Sequence, residues 1–282
     1  MMNFLKYGPP RKMVKAMLML SWPLMIAAKK LNNYPIVKWV INPFFAYPWN
    51  EVTMLPISEA AVPPESIILP RRVVERFVAE VDDLFILDEC ICRSKEGCNE
   101  HPTDIGCMAL GPGIARMHPS HGRTVTKEEA IAHVQKAAKA GLVASVAHVW
   151  IDPVAFGLTR FHNLMFICFC CDCCCLYRTY MTDRGPNLER GLQKLPGISV
   201  TVDAAKCTGC GMCVDRCFAA AMTMNGGAAA PGESCKGCGR CVELCPEGAV
   251  TLRIENENKL YRQLIGRVKE VADIWQGAPP RA

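Results

Sequence analysis

The sequence predicts an α+β protein with added cysteine-rich metal segments. Apolar residues recur at helical spacing in 71–81, after Thr126 and in 260–275. Short apolar runs at 84–87, 143–150 and 164–169 read as strands. The 18 cysteines fall in three patches: four in 90–107, six in 168–175 and eight in 207–245. A chain of 282 residues buries a core without disulfide staples, and a secreted disulfide scaffold would be smaller and spread its cysteines. The cysteines therefore read as metal ligands in a reducing compartment, cytoplasmic or peripheral on the cytoplasmic face of a membrane. Four segments follow: a basic apolar and aromatic docking segment over 1–60, a cysteine-rich helix and strand domain over 61–200, a cluster-binding domain over 201–256, and a C-terminal helix and tail over 257–282.

The head concentrates the charge. Residues 1–50 hold Lys6, Arg11, Lys12, Lys15, Lys29, Lys30 and Lys38 with no Asp or Glu, and the rest of the chain carries 25 basic and 27 acidic side chains. The formal +5 also treats cysteine as neutral; two thiolate-bound [4Fe–4S] clusters would bring it to about +1. A basic protein that binds nucleic acid is not the reading. The uncharged run Met17–Ala28 is too short for a membrane span, which needs about 20 residues, and Pro23 should kink a helix there. Trp39, Phe44, Phe45, Tyr47 and Trp49 follow between prolines. This head packs on its own protein, docks on a partner subunit, or makes a peripheral contact with anionic membrane through residues 1–50.

In the middle, a Pro-rich stretch over 55–70 leads into a helix over 71–81, with Val74, Phe77, Val78 and Val81 on one face. LFIL at 84–87 is a strand feeding Cys90. Thr126 caps a helix, with Glu129 completing a capping box and Gly141 ending it. The helix-then-strand order suits a small winged-helix-like unit, but Lys127, Lys136 and Lys139 are offset by Glu128 and Glu129, so no basic reading helix results. In the tail, Tyr261, Leu264, Val268, Val271 and Trp275 form one stripe, expected to pack on the cluster domain or a partner.

The last patch is the most specific. Cys207, Cys210, Cys213 and Cys217 repeat at an offset of 28 residues as Cys235, Cys238, Cys241 and Cys245, each set spaced C-x2-C-x2-C-x3-C. Gly209 and Gly211 match Gly237 and Gly239, and Val214 matches Val242. Zinc sites do not need four cysteines in so short a run, twice. Two [4Fe–4S] clusters follow, with crossed ligation: Cys207, Cys210, Cys213 and Cys245 on one, Cys235, Cys238, Cys241 and Cys217 on the other.

On these motifs, residues 201–256 resemble a bacterial-type two-cluster ferredoxin domain. The resemblance implies a pseudo-twofold fold of hairpins and short helices that carries single electrons at low potential. The wider chain resembles a group of larger iron–sulfur proteins through CICRSKEGC at 90–98, DIGCMALG at 104–111, GRTVTKEEA at 122–130 and CFCCDCCC at 168–175. That likeness implies domain order and cluster binding, not a reaction.

Ten cysteines remain. Cys90, Cys92, Cys98 and Cys107 could hold one cluster or one zinc, with Arg93 and Lys95 favouring thiolates. His101, His118 and His121 are substitute ligands. In an extended chain Cys168, Cys170 and Cys174 would face one way and Cys171, Cys173 and Cys175 the other, with Asp172 a spare oxygen ligand or a turn residue. Ten thiols allow one or two additional [4Fe–4S] clusters, or one cluster and a redox-active thiol pair. The sequence has no dinucleotide fingerprint, Walker loop, GxSxG or HExxH. The first function implied is an electron-transfer protein, or subunit of a redox complex, that meets a redox partner protein. The second is a reductase whose substrate site is a metal cluster or thiol pair from cysteines 90–107 and 168–175. The third is a metal-dependent regulatory or interaction protein.

Overall fold

The computed structural model describes residues 6–31, 34–45, 50–57, 71–178 and 192–275. Tyr47, Trp49 and the Pro-rich stretch beyond residue 57 lie outside them. The fold is α+β, with the cysteine clusters of the middle region beside a C-terminal cluster-type domain.

The middle region is built on one seven-stranded sheet. Its strands are β1 (Asn50–Leu55), β2 (Leu84–Leu87), β3 (Met108–Leu110), β4 (Gly122–Thr124), β5 (Val143–Val149), β6 (Met165–Cys170) and β7 (Leu192–Lys194), in the order β4-β2-β3-β6-β5-β1-β7. All pairings are antiparallel except β1 with β7. Asn50–Leu55, read from sequence within the docking segment, is thus a strand of this sheet. Every residue of β5 is buried, as its unbroken apolar run requires of a strand covered on both faces. On one face Leu84, Met108, Leu110, Met165, Ile167 and Phe169 join the main core; on the other Phe85, Leu87, Ala109 and Phe166 form a second, smaller one. Alternation along each strand supplies both.

Helices α3 (Arg71–Ala79) and α5 (Lys127–Lys139) pack together over the main core. Val74, Phe77 and Val78 are fully buried, and the Thr126–Glu129 capping box is present in both directions. The tail helix, Glu257–Val271, buries its stripe against α3, in a core that also takes in Val250, Leu252 and Ile254. Phe77 meets Trp275 edge-to-face at 6.3 Å, and the Arg76 guanidinium sits 3.8 Å over the Tyr261 ring. The apolar stripe fixed the buried side; the partner is non-local and left no trace in its spacing.

In the head, α1 (Arg11–Leu31) continues through Pro23, and α2 (Pro35–Phe45) follows. The helix is not interrupted there: Pro23 and Met19, whose carbonyl loses its donor, are both exposed, where solvent can satisfy that carbonyl. The start of α1 is fastened to the body. The Gly8 N–H donates to the Arg116 carbonyl, Arg11 pairs with Asp88 at 3.2 Å, and Lys15 pairs with Glu89 at 2.6 Å. Val14 and Trp22 are buried, while Leu20, Ile36 and Trp39 are 80% exposed or more. Among the described residues no helix is long and apolar enough to cross a membrane.

Candidate functional site

The C-terminal domain pairs β8 (Ile198–Val202) with β11 (Val250–Ile254), and β9 (Met222–Asn225) with β10 (Ala228–Pro231). Each cysteine run turns into a short helix, α7 (Met212–Asp215) or α8 (Arg240–Leu244), capped by Gly211 or Gly239 at positive φ. Crossing of the two halves is directly visible. Cys207, Cys210, Cys213 and Cys245 line one cavity of about 20 Å³; Cys217, Cys235, Cys238 and Cys241 line another of about 20 Å³. The backbone N–H groups of Ala221, Ala229 and Ala249 donate to the sulfurs of Cys217, Cys207 and Cys245 at 3.2–3.5 Å. Burial pushes the Cys238 thiol up to about 12, and burial with repulsion from Cys238 pushes Cys241 the same way. Such thiols ionise only for a cation, and four soft sulfurs with inward N–H donors fit a [4Fe–4S] core.

Gly209 lies close against the backbone of the neighbouring hairpin. Its φ is +70°, and a Cβ would stand 2.8 Å from the Gly227 carbonyl oxygen. We expect Gly209→Ala to cost about 1–3 kcal/mol and to loosen the Cys207 site first. A lower thermal midpoint with faster iron loss to a chelator would show it; unchanged iron retention would refute it.

The other ten cysteines divide differently from the sequence reading. Cys90 stands at the start of helix α4 (Ile91–Glu96), which Gly97 ends in the left-handed conformation. Beyond that turn Cys98 groups with Cys171, Cys173 and Cys174, whereas Cys90, Cys92 and Cys107 line a separate cavity. The six-cysteine run also breaks parity, because β6 ends at Cys170 and the chain turns through 172–174. The sulfurs of Cys98, Cys171, Cys173 and Cys174 lie within 4.8 Å of one another, with Cys98 to Cys173 at 3.5 Å and Cys173 to Cys174 at 3.6 Å. Thiolates around one tetrahedral ion at a metal–sulfur distance of about 2.3 Å stand about 3.8 Å apart. The tetrad has the spacing of a single ion, not of a cube. Against the upward push of burial, backbone N–H groups of His101 and Glu100 hold the Cys98 thiol below its ordinary value.

The second group is a string of thiols. Cys107 and Cys92 neighbour Cys90 and hold its thiol far below the ordinary value; Cys168 neighbours Cys107 in turn. Cys170 and Cys175 pair beside them. Between tetrad and string sits Arg93, fully buried. Its guanidinium donates to the carbonyls of Pro102 at 2.8 Å, Phe169 at 2.6 Å and Ile105. Burial works against its charge, yet Cys90, Cys107, Cys171 and Cys170 raise its pKa. Sequence placed Arg93 beside the thiols; its role as the buried cation shared by two groups is a tertiary fact.

Asp172 joins the two regions. It accepts from His101 Nε2 at 3.0 Å and Arg240 Nε at 2.8 Å, and Arg216 lies 3.8 Å away and also pairs with Glu100. Burial would raise its pKa, but His101 and Arg240 hold it well below the carboxylate range. His101 is therefore a neighbour of the tetrad, whereas His118 bonds Ser120 and His121 bonds the Pro9 carbonyl. Arg216 and Arg240 were missed in the sequence. The available signal was broken symmetry: they stand where the other half has Leu244 and Met212.

Residues 199–246 match the 4Fe-4S dicluster domain family, about a sixth of the chain. The C-terminal region is accordingly similar to dicluster-binding domains, which ties the chain to iron–sulfur and electron-transfer chemistry. Comparisons with curated proteins and with solved structures found no match.

Proposed function

We propose that the chain is an iron–sulfur electron-transfer protein, or a subunit of a redox complex, relaying single electrons between its dicluster domain and the thiols of the middle region. The observation that carries this is the junction at Asp172. Arg240 and Arg216, neighbours of Cys241 and Cys217, clasp the turn that holds the Cys98 tetrad. Cys171 belongs to the tetrad and also lines the cavity formed by the Cys90 group. The four thiol groups therefore form a continuous series: the Cys207 set, the Cys217 set, the Cys98 tetrad and the Cys90 string.

Cys207, Cys210, Cys213 and Cys245 would hold one [4Fe–4S] cluster, and Cys217, Cys235, Cys238 and Cys241 a second. Cys90, Cys92, Cys107 and Cys168 would hold a third, with Cys170 and Cys175 alongside. The tetrad would hold one tetrahedral ion, zinc or iron. A cube on four thiolates takes and gives one electron with little change of shape, which suits a carrier. Phe218 is fully buried against the Cys217 set, and the arginines at the junction offset the charge of the thiolates. Redox-titrated EPR of the anaerobic full chain tests the relay. Signals beyond those of the dicluster domain, lost in Cys107→Ser, are expected; a spectrum of the dicluster domain alone overturns it.

The redox partner is a protein that meets the dicluster face, and the head is proposed to rest on anionic membrane. Leu20, Leu24, Ile36 and Trp39 are exposed on helices with lysines and no acidic residue. Each surface lysine adds about 1 kcal/mol of attraction to anionic lipid. The full chain should co-sediment with phosphatidylserine vesicles, lose that binding as salt rises, and bind weakly after Leu20→Glu. Equal recovery with neutral and anionic vesicles would refute the membrane contact.

A further inference from the structure

Beneath α1 lies a cavity of about 430 Å³, lined on one side by the Cys90 group. The two cysteine sites of the C-terminal domain provide an internal measure of what a cube needs. With four thiols each encloses about 20 Å³, roughly a twentieth of this volume, which seven cysteines line. The excess is within the range of small-molecule pockets, about 300–1,000 Å³. It extends away from the sulfurs toward Trp22 and Met25 of α1 and toward Asp152 on α6 (Ile151–Ala155).

We propose that this cavity binds an uncharged lipophilic quinone and that the chain reduces it, with Asp152 as the proton donor. The inference rests on the relay reading, whose last thiol group forms the cavity's wall. The walls decide the ligand class. Trp22, Phe156 and Phe166 line it with aromatic surface that suits a flat ring. The one guanidinium among the described lining residues, Arg93, already serves three carbonyls, so none of them offers a phosphate a free cation, and nucleotides and flavin phosphates are disfavoured. The Asp152 carboxylate has no hydrogen bond or ion pair among the described residues, and burial pushes its pKa up to about 7. A carboxyl group that lines a largely apolar space and holds its proton up to near neutral pH is suited to a carbonyl oxygen. Leu24 both lines the cavity and is 72% exposed, so the mouth opens at α1, on the surface proposed to meet lipid.

The reaction balances as one quinone, two electrons and two protons giving one hydroquinone. Electrons arrive singly from a low-potential electron-carrier protein docked at the dicluster domain. One quinone oxygen takes the Asp152 proton, and the other takes a proton from water. Both C=O bonds become C–OH, and solvent returns the proton to Asp152.

The test uses duroquinone, whose methylated ring positions resist addition of cysteine thiols, with anaerobic full chain. Ultrafiltration should show one saturable site. Ala28→Trp, which fills the cavity from α1, should weaken it about tenfold or more. Asp152→Asn should keep binding within about threefold and slow single-turnover reduction of duroquinone about 10²-fold. Normal iron with no saturable binding, or full affinity in Ala28→Trp, overturns the cavity site while leaving the relay intact. Full reduction rate in Asp152→Asn overturns the proton donor. About eight irons per chain would overturn the relay itself, and with it the electron supply.

Discussion

The anaerobic full chain should contain about twelve acid-labile sulfides, eight in the dicluster domain and four at the Cys90 group, with one further thiolate-bound metal ion that brings no sulfide. The tetrad's spacing sets this number. Sulfurs 3.5 and 3.6 Å apart can share one tetrahedral ion, whereas the sulfurs of the dicluster loops surround open cavities. Cys98→Ser should remove one metal and no sulfide. Cys107→Ser should remove about four irons and four sulfides together. The two losses separate cysteines that lie nine positions apart in the chain, and a single site over 90–107 would make them identical. About sixteen sulfides would refute the single ion; about eight would refute the third cluster. Elemental analysis of the same samples names the ion. Iron would add a step to the relay, and zinc would fasten the junction only.

Much of the fold was legible because it is local. The Thr126 capping box, the strands at 84–87 and 143–149, and the buried faces of α3 and the tail helix all follow from spacing within a few residues. The duplicated cysteine runs were legible for the same reason, since each site's geometry is a short Gly-rich loop. The middle sites were not. Spacing placed Cys98 with Cys90 because they are close in sequence, but Gly97 at φ +61° turns the chain between helix and cysteine. Parity failed beyond Cys170, where the strand loses its partner: Cys170 pairs with Val143, the first residue of β5. Asp152 gave no signal at all, because a single carboxylate in IDPVA is ordinary until a helix from the other end of the chain covers it.

Arg93→Met should collapse both middle thiol groups while sparing the C-terminal pair. The guanidinium is wholly buried and gathers carbonyls from Pro102, Ile105 and Phe169, so it pins the segment after Cys98 to the end of β6. Methionine matches much of its length but donates nothing. Three carbonyls lose their donor, and the thiols of Cys90, Cys107, Cys170 and Cys171 lose the cation they surround. Removing one partner from a buried charged network costs about 3–5 kcal/mol, a large part of the roughly 5–15 kcal/mol that holds a domain folded. Arg93→Lys keeps the charge, but a single ammonium cannot reproduce a planar fork reaching three acceptors, so an intermediate loss is expected. Iron in the methionine variant should fall to about eight per chain, with the EPR of the dicluster domain unchanged. The distinction from general unfolding lies in that residue of eight: a chain that merely misfolds loses all its iron, and a chain for which Arg93 is incidental keeps all of it. Retention of the full iron content and thermal midpoint in Arg93→Met would show that the thiols, not the arginine, organise the middle of the molecule.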